Sequence, residues 1–320
     1  MRWLSNRVAF LGVLTVIVAA VMSVISPYFL SLNNLLGMTQ FGAVIALVGM
    51  GQSLVILGGD GGFDLSIGSV LSMSAVVVGL LVKAGVNVWL AALLGVFAAG
   101  LMGAINGLLV TRIGIPPFIG TLGTMYTWAA IPLIITKGVP ISGFPEAFGF
   151  LGQGSILGIP AQVILFTIPI FILLQYTMTK TVFGRSVYLV GVNSQAAQLA
   201  GINVKRVRLG LYIISGLLAG VGAVIMCAWL LSARPDVGNG YEFQALTVAV
   251  LGGFNIMGGE GTIPGVMMAA LIVTMISSGL QLANVNTIWQ LAALGFILLG
   301  AVIVNQAISS RNQKRFGIKV

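Results

Sequence analysis

Histidine is absent from the 320-residue chain, and cysteine occurs once, at Cys227. A single thiol cannot form an intramolecular disulfide, and without histidine neither the usual His/Cys metal sites nor a Ser-His-Asp triad can be built. Charge is scarce as well, because Asp, Glu, Lys and Arg together make up 7% of the residues. Soluble domains carry about a quarter, so this composition cannot provide a water-exposed surface.

What is abundant is apolar: 58% of the residues are hydrophobic, and the mean hydropathy is +1.10. Disorder is excluded because it needs low hydrophobicity together with high net charge. The net charge of +9 would suggest nucleic acid in a soluble chain, but no stretch interleaves basic and aromatic residues. We therefore predict a membrane protein in a lipid bilayer, with no nucleic-acid partner.

Ten uncharged stretches are candidates for membrane crossing, since about 20 apolar residues span a hydrocarbon core of ~30 Å. We predict an all-α integral membrane protein of about ten transmembrane helices, some broken or re-entrant, forming one domain over 1–320. The first stretch is expected to be an uncleaved helix, and segment 27–40 to lie along the outer interface. The stretches are 8–26, 41–57, 65–82, 86–110, 117–136, 161–179, 209–231, 243–257, 264–283 and 287–305.

Basic residues set the expected orientation, because cytoplasmic loops carry an excess of Lys and Arg. Three of them fall in the loops assigned to the outside, namely Lys83, Lys137 and Arg234. The other twelve fall inside if both termini are cytoplasmic: Arg2, Arg7, Arg112, Lys180, Arg185, Lys205, Arg206, Arg208, Arg311, Lys314, Arg315 and Lys319. The chain is therefore expected to be a multi-pass protein with both ends in the cytoplasm.

Glycine is frequent, with 44 residues, about twice the average usage. Small residues four apart let membrane helices approach closely, because apolar side chains gain nothing by meeting each other in lipid. Such spacing predicts helix contacts at four pairs: Gly103/Gly107, Gly216/Gly220, Ala219/Ala223 and Gly261/Gly265.

Two glycine-rich loops carry acids and follow the second and eighth stretches. The eighth stretch is short and contains Gly252-Gly253, which predicts an interrupted helix lined by protein or water. The shared GG-acid-G pattern hints at an internal repeat. One interpretation makes the acids turn and cap residues at the membrane edge, with Asp64 capping the third helix; the other makes them an ion relay. The loop residues are Gly58, Gly59, Asp60 and Asp64, and Gly258, Gly259, Glu260 and Gly261.

The longest cytoplasmic segment is 180–208. Asn193 or Ser194 is a suitable N-cap, residues 195–200 favour helix, and Gly201 can end it in the left-handed conformation. A helix this short is unstable alone in water, so we expect it to pack either on its own chain as a lid or on a soluble partner. No G-x-x-x-x-G-K-[ST] phosphate loop occurs, so ATP-driven transport would need its ATPase on another chain.

Four motifs together resemble the permease subunits of ABC importers for ribose and related sugars. They are GGDGGFDLSIGS (58–69), NGLLVTRIGIPPFIGTLGT (106–124), FGRSVYLVGVNSQAAQLAGINV (183–204) and LGGFNIMGGEGTIPG (251–265). The resemblance covers roughly residues 35–305. It implies a bacterial inner-membrane permease that pairs with a second permease copy or paralogue, two cytoplasmic ATPase subunits and a periplasmic binding protein delivering a monosaccharide.

The resemblance also implies that segment 180–208 holds the coupling helix that enters a groove on the ATPase. An Asp or Arg at Ala197 is then expected to abolish uptake without unfolding the protein. The chain departs from the family in its first glycine loop, where either Asp60 or Asp64 matches the family aspartate and Leu65-Ser66-Ile67-Gly68 favours Asp64. The matching coupling positions are Gly184, Arg185, Asn193, Ala196, Ala197, Gly201 and Ile202.

Polar residues inside the stretches are candidates for lining a sugar pathway, although each could equally bond a neighbouring helix. We expect no catalytic residue, cofactor or metal. The alternatives are an ion-coupled transporter using Asp60, Asp64 or Glu260, and an assembly subunit without a pathway. The pathway candidates are Gln52, Ser53, Asn106, Thr121, Thr124, Gln244, Thr247 and Asn255.

Overall fold

The computed structural model describes residues 2–315, with the side chains of 9–286, 288–290 and 292–303. Lys319, one of the basic residues used for orientation, lies outside this range. Within it the chain is almost entirely helical. The helices are α1 (Arg2–Ile25), α2 (Leu32–Leu57), α3 (Ile67–Lys83), α4 (Val88–Leu108), α5 (Pro117–Thr136), α6 (Glu146–Gln153), α7 (Ile168–Lys180), α8 (Val182–Val192), α9 (Ser194–Leu199), α10 (Val204–Leu230), α11 (Tyr241–Leu251), α12 (Ile263–Leu282) and α13 (Thr287–Arg315).

Six helical segments in the described part are long and apolar enough to cross a membrane. They are α2, α4 with the π-helical turn Leu109–Ile113, α5, α7 with the preceding π-helical turn Val163–Thr167, α10 and α12. Shorter apolar helices include α3, α8 and α11 and the apolar parts of α1 and α13. Each of the ten predicted stretches overlaps a helix, which confirms a mostly helical membrane protein.

The start of α2 differs from the sequence prediction because of capping. Helix α2 begins at Leu32, inside the segment expected to lie along the interface, because the Ser31 side chain accepts a hydrogen bond from the Asn34 N–H. The Asn34 side chain is satisfied in turn by the hydroxyl of Ser278, which donates to its Oδ1 at 2.8 Å. The prediction for 27–40 was therefore wrong over its second half.

Helices α4 and α10 cross with their backbones in contact. Neither Gly103 nor Gly216 has room for a Cβ, because the Tyr212 carbonyl faces the first and the Ala99 carbonyl the second. This contact confirms the predicted close approach of the Gly103/Gly107 and Gly216/Gly220 pairs. The Gly261/Gly265 prediction was wrong, since Gly261 lies in a loop before α12 rather than on a helix face.

The far end of the bundle carries two short two-stranded sheets. Strand β1 (Ile141–Ser142) pairs antiparallel with β4 (Ser232–Ala233), and β2 (Ser155–Ile156) pairs with β3 (Ile159–Pro160). The opposite end carries the connections 58–66, 114–116, 181–203 and 252–262. We call it the α9 end, and the candidate site lies there.

Candidate functional site

The two glycine loops meet each other at the α9 end. Gly258 lies so close to the backbone of Gly59 that a Cβ would not fit between them, and the Gly259 N–H donates to the Leu57 carbonyl at 3.1 Å. Gly191, near the end of α8, is wedged against both loops. The three backbones pack together here because none of these glycines has a side chain.

Helix α9 forms as the sequence predicts. The Asn193 side chain accepts from the Ala196 N–H at 2.9 Å, and Gly201 ends the helix with φ +84°. The Ile202 N–H then donates to the Ala197 carbonyl at 3.0 Å. Capping at both ends stabilises a helix of six residues that would not form alone in water.

Helix α9 has one covered and one open face. Ala197 is buried in the main hydrophobic core, whereas Leu199 is 90% exposed, and Gln195, Ala196 and Gln198 are exposed as well. The methyl group of Ala197, one of the predicted coupling positions, therefore anchors α9 to its own protein. A partner would contact Ala196 and Leu199 instead.

The first glycine loop is tied to α9 and α10 through Asp60. The Asp60 carboxylate accepts hydrogen bonds from the Ser194 hydroxyl at 3.1 Å and the Arg208 guanidinium at 2.5 Å. The Arg208 Nε–H also donates to the Gly58 carbonyl at 3.1 Å. The start of α9, the start of α10 and the end of α2 are thereby held at one point.

Farther along α10, two more residues on the same helix face bind this loop. The Tyr212 hydroxyl donates to the Phe63 carbonyl at 3.2 Å, and the Ser215 hydroxyl donates to Asp64 Oδ2 at 2.9 Å. Since residues 208, 212 and 215 are four and three apart, they lie on one side of the helix. The loop is therefore fastened along α10 over two turns.

Asp64 lies at the buried end of this loop and is 1% exposed. Its Oδ1 accepts from the Ser66 hydroxyl at 2.7 Å and the Ser66 N–H at 3.1 Å. The Asn106 amide donates to Ser66 Oγ at 2.6 Å and reaches Asp64 Oδ1 at 3.4 Å. The prediction of a membrane-edge cap was wrong, since the N-cap of α3 is Ser66 and Asp64 joins α3, α4 and α10.

The matched GG-acid-G loops are not equivalent in the structure. Gly58 caps α2 with φ −65° and ψ −6°, and Gly252 caps α11 with φ −65° and ψ −4°. Each is followed by a left-handed glycine, Gly59 with φ +75° and Gly253 with φ +90°. The repeated element is thus the Leu-Gly-Gly end of α2 and α11, and the predicted interruption at Gly252-Gly253 is confirmed.

The remaining coupling positions belong to α8, a helix that the sequence analysis missed. Gly184 is buried where α8 turns back on the end of α7, and Arg185 is exposed. On the same helix the Tyr188 hydroxyl donates to the Gly261 carbonyl at 2.9 Å. A tyrosine phenol is a hydrogen-bond donor at neutral pH, and burial raises the pKa of Tyr188 further.

The predicted pathway residues divide into four kinds, of which the amide side chains supply three. Gln52 is fully buried, and neither of its amide atoms has a hydrogen-bond partner in the described part of the chain. Half-buried Gln244 likewise has a carbonyl oxygen without a partner there. Asn106 belongs to the Asp64 network, and the prediction that Asn255 is in a span was wrong, because α11 ends at Leu251.

The hydroxyl groups among these candidates bond their own helices. Thr121 donates to the Pro117 carbonyl at 2.8 Å, and Thr124 donates to the Thr121 carbonyl at 3.1 Å. Ser53 and Thr247 bond the carbonyl four residues before them in the same way. Their polar groups are therefore satisfied without a neighbouring helix or solute.

Sequence reasoning missed the holding role of three α10 residues. Arg208, Tyr212 and Ser215 each bond the first glycine loop, and their spacing on one face of an otherwise apolar helix was a usable signal. Between α9, the start of α10 and the end of α4 an open cleft of about 550 Å³ remains. Its lining includes Thr111, Gln195, Gln198, Lys205 and Arg208.

No group of three or more His, Cys, Asp or Glu that could hold a metal occurs among the described residues. The acids have separate partners: Asp60 faces Ser194 and Arg208, Asp64 faces Ser66 and Ser215, and Glu260 is exposed. The carboxylates therefore do not form one coordination site.

Known proteins are similar in sequence to this chain over nearly its whole length. Residues 34–302 match the family described as branched-chain amino acid transport system / permease component. The ribose import permease protein of Bacillus subtilis is 37% identical over 94% of this chain and 92% of its own. For the D-allose transport system permease protein of Escherichia coli the values are 38%, 93% and 90%. The Escherichia coli ribose import permease protein is 35% identical over 95% of this chain and 94% of its own. No solved structure matches the chain.

Proposed function

This chain belongs to the permease component family of branched-chain amino acid transport systems, and we propose that it is the membrane subunit of an ATP-driven importer for a monosaccharide of the ribose or allose type. The substrate class comes from the relatives, which are named for ribose and D-allose and cover over nine-tenths of the chain. Similarity to these import permeases supports the proposal that the chain is a multi-pass protein of a bacterial inner membrane.

Ten helices are proposed to cross the membrane: α1 to α5, α7 and α10 to α13. Helix α11 has 11 residues, which rise only about 16 Å, so it covers only part of the ~30 Å hydrocarbon core, and the chain on either side of it would complete the crossing against protein. The α9 end is assigned to the cytoplasm because Arg112, Lys180 and the basic residues of α8 and α10 lie there, whereas the far end carries Lys83, Lys137 and Arg234.

The observation that carries the proposal is helix α9 itself. It is capped at both ends, rests on the core through Ala197 and exposes Leu199. Such a helix is a rigid projection with an exposed face that a soluble subunit can bind. We propose that two cytoplasmic ATPase subunits receive this helix from a permease dimer, formed with a second copy or a paralogue, while a periplasmic sugar-binding protein delivers the substrate.

The contacts around α9 suggest how force would pass into the membrane. A displacement of α9 would act on Asp60 through Ser194 and on the glycine loops through Gly191. These loops end α2 and α11, so the helices would rock between two packings that open the passage to opposite sides. The binding protein supplies affinity, and the passage needs only weak polar contacts.

Uptake in vesicles tests the proposal. The permease co-purified with its ATPase and binding protein should accumulate ribose or allose when ATP is supplied inside, and an uncoupler should leave uptake intact. The ion-coupled alternative requires Asp60, Asp64 or Glu260 to serve as a coupling site. Uptake that follows an ion gradient without the ATPase would favour that alternative.

A further inference from the structure

A second apolar side chain is exposed close to the base of α9. Met257 lies at the tip of the turn formed by residues 255–258 in the connection between α11 and α12, and it is 72% exposed. A large apolar residue in a loop outside the helices gains nothing from lipid or from water. Its position therefore calls for a partner.

The turn that carries Met257 is fixed rather than loose. The Asn255 side chain accepts from the Met257 N–H at 3.0 Å, and the Gly258 N–H donates to the Asn255 carbonyl at 2.8 Å. The Asn255 N–H donates to the Glu260 carbonyl at 3.0 Å. Such a preorganised turn loses little conformational freedom when a partner binds its tip.

The same turn is joined to the segment that leads into α9. Gly259 packs on Val192, the last residue of α8, and its N–H donates to the Leu57 carbonyl at 3.1 Å. Val192 is itself exposed, as is Leu199 farther along. Met257, Val192 and Leu199 thus present apolar groups at the same end of the molecule, which we call the α9–Met257 surface.

Charge argues for a protein partner rather than an anionic lipid layer. Glu260, three residues beyond Met257, is exposed and would be repelled by lipid phosphates, while Asp60 on the first glycine loop is exposed but paired with Arg208. Arg185, Lys205 and Arg206 are exposed on the neighbouring helices. A surface of mixed charge with an apolar centre has the composition of a protein interface.

We infer that Met257 is a second contact point for the same cytoplasmic ATPase subunit that receives α9. This inference rests on the proposed function. Since the Met257 turn belongs to the α11–α12 connection, the ATPase would hold the second glycine loop directly as well as through α9. It would then act on α11 and α2 at the point where their loops meet.

Cross-linking tests this contact. Met257→Cys introduces the one exposed thiol of the described chain, because the native Cys227 is 1% exposed. A photoactivatable maleimide on this thiol, in the complex co-purified with the ATPase, should cross-link the permease to the ATPase. Leu199→Cys is the paired variant, and Leu157→Cys, exposed at the far end, should give no ATPase product.

The outcomes separate the inference from the proposed function. An ATPase product from Leu199→Cys but not from Met257→Cys, or a Met257→Cys product with lipid or a second permease only, overturns the inference and leaves the function standing. Absence of an ATPase product from both positions overturns both.

Affinity gives a second measurement. Met257→Asp should weaken binding of the purified ATPase to the permease about tenfold, as for a central interface residue, while Met257→Leu should keep it. Equal affinities for native protein and both variants, with unchanged thermal unfolding, would contradict the contact.

Discussion

The guanidinium of Arg208 holds both the Asp60 carboxylate and the Gly58 carbonyl, so that one side chain of α10 fixes the loop that ends α2. The Ser194 hydroxyl binds the same carboxylate from α9. At Asp60, the end of α2 therefore meets α9 and α10, which lie 134 and 148 residues farther along the chain at the bonded positions. A movement of α9 would act on this contact first.

Removing this ion pair should disturb coupling more than folding. Asp60→Asn removes the negative charge of this ion pair. Because Arg208 and Asp60 are partly exposed, the pair is expected to contribute only about 0–1 kcal/mol to the free energy of unfolding. We expect nearly unchanged thermal unfolding and several-fold less sugar transported per ATP hydrolysed. Arg234→Ala, which breaks the pair with Asp236 at the far end, is the control and should leave coupling intact; equal coupling in both variants would exclude the role of Asp60.

The buried Asp64 network should behave in the opposite way. Ser215→Ala removes a donor to the carboxylate and should lower the free energy of unfolding by about 1.5–3 kcal/mol. Ser53→Ala is the matched control, because the Ser53 hydroxyl is buried but bonds only the Gly49 carbonyl of its own helix. Thermal unfolding in detergent compares them, and similar midpoints would show that the Ser215 bond does not stabilise the fold.

The two faces of α9 give opposite phenotypes. Leu199→Asp should weaken ATPase association about tenfold while the permease remains folded, because Leu199 is open to solvent. Ala197→Asp should instead unseat α9 by placing a charge in the core. Limited proteolysis of segment 180–208 distinguishes the two variants, since only Ala197→Asp should be cleaved faster than the native protein. Faster cleavage of Leu199→Asp, or an unchanged cleavage rate in Ala197→Asp, would contradict this assignment of the two faces.

The crossing of α4 and α10 should not tolerate even one methyl group. Gly103→Ala is expected to cost about 1–3 kcal/mol through overpacking against the Tyr212 carbonyl. Gly123→Ala has no atom within 4 Å of the new methyl group and should change stability by less than about 0.5 kcal/mol. Equal unfolding midpoints would contradict the close contact.

Replacing Gln52 should affect stability and transport in opposite directions. Replacing its unpartnered amide with leucine should raise the free energy of unfolding by about 1–3 kcal/mol, the cost of a buried unsatisfied group. If Gln52 serves the sugar pathway in another packing of the helices, the more stable Gln52→Leu variant should transport less. Gln162→Leu is the comparison, because its amide nitrogen donates to the Gly152 carbonyl while its amide oxygen has no partner in the described chain, so this replacement should stabilise the fold less than Gln52→Leu. Unchanged uptake by Gln52→Leu would remove this residue from the pathway.

Sequence predicted the helices well because lipid imposes a strict length and excludes charge. All ten stretches correspond to helices, and the α5 bounds agree to the residue. Ends set by caps were less predictable: Ser31 starts α2 early, and Asn203 starts α10 five residues before its apolar stretch. Helix α8 was missed because its basic flanks resemble a plain cytoplasmic loop.

The sequence predicted the local structure of the site but not the contacts between its distant segments. The capping of α9 by Asn193 and Gly201 follows from neighbouring residues, so the sequence contains it. That Asp64 would be buried against Ser215, and Gly258 against Gly59, depends on contacts between residues 151 and 199 positions apart. Tertiary packing decides such contacts, and a pattern of nearby residues does not encode them.

The central claim is that a separate ATPase drives this permease through α9. Uptake of ribose or allose into vesicles containing the permease and binding protein should appear only when the ATPase and ATP are added, and should disappear in Leu199→Asp. Accumulation by the permease alone on a proton or sodium gradient, or full ATP-driven uptake by Leu199→Asp, would contradict it.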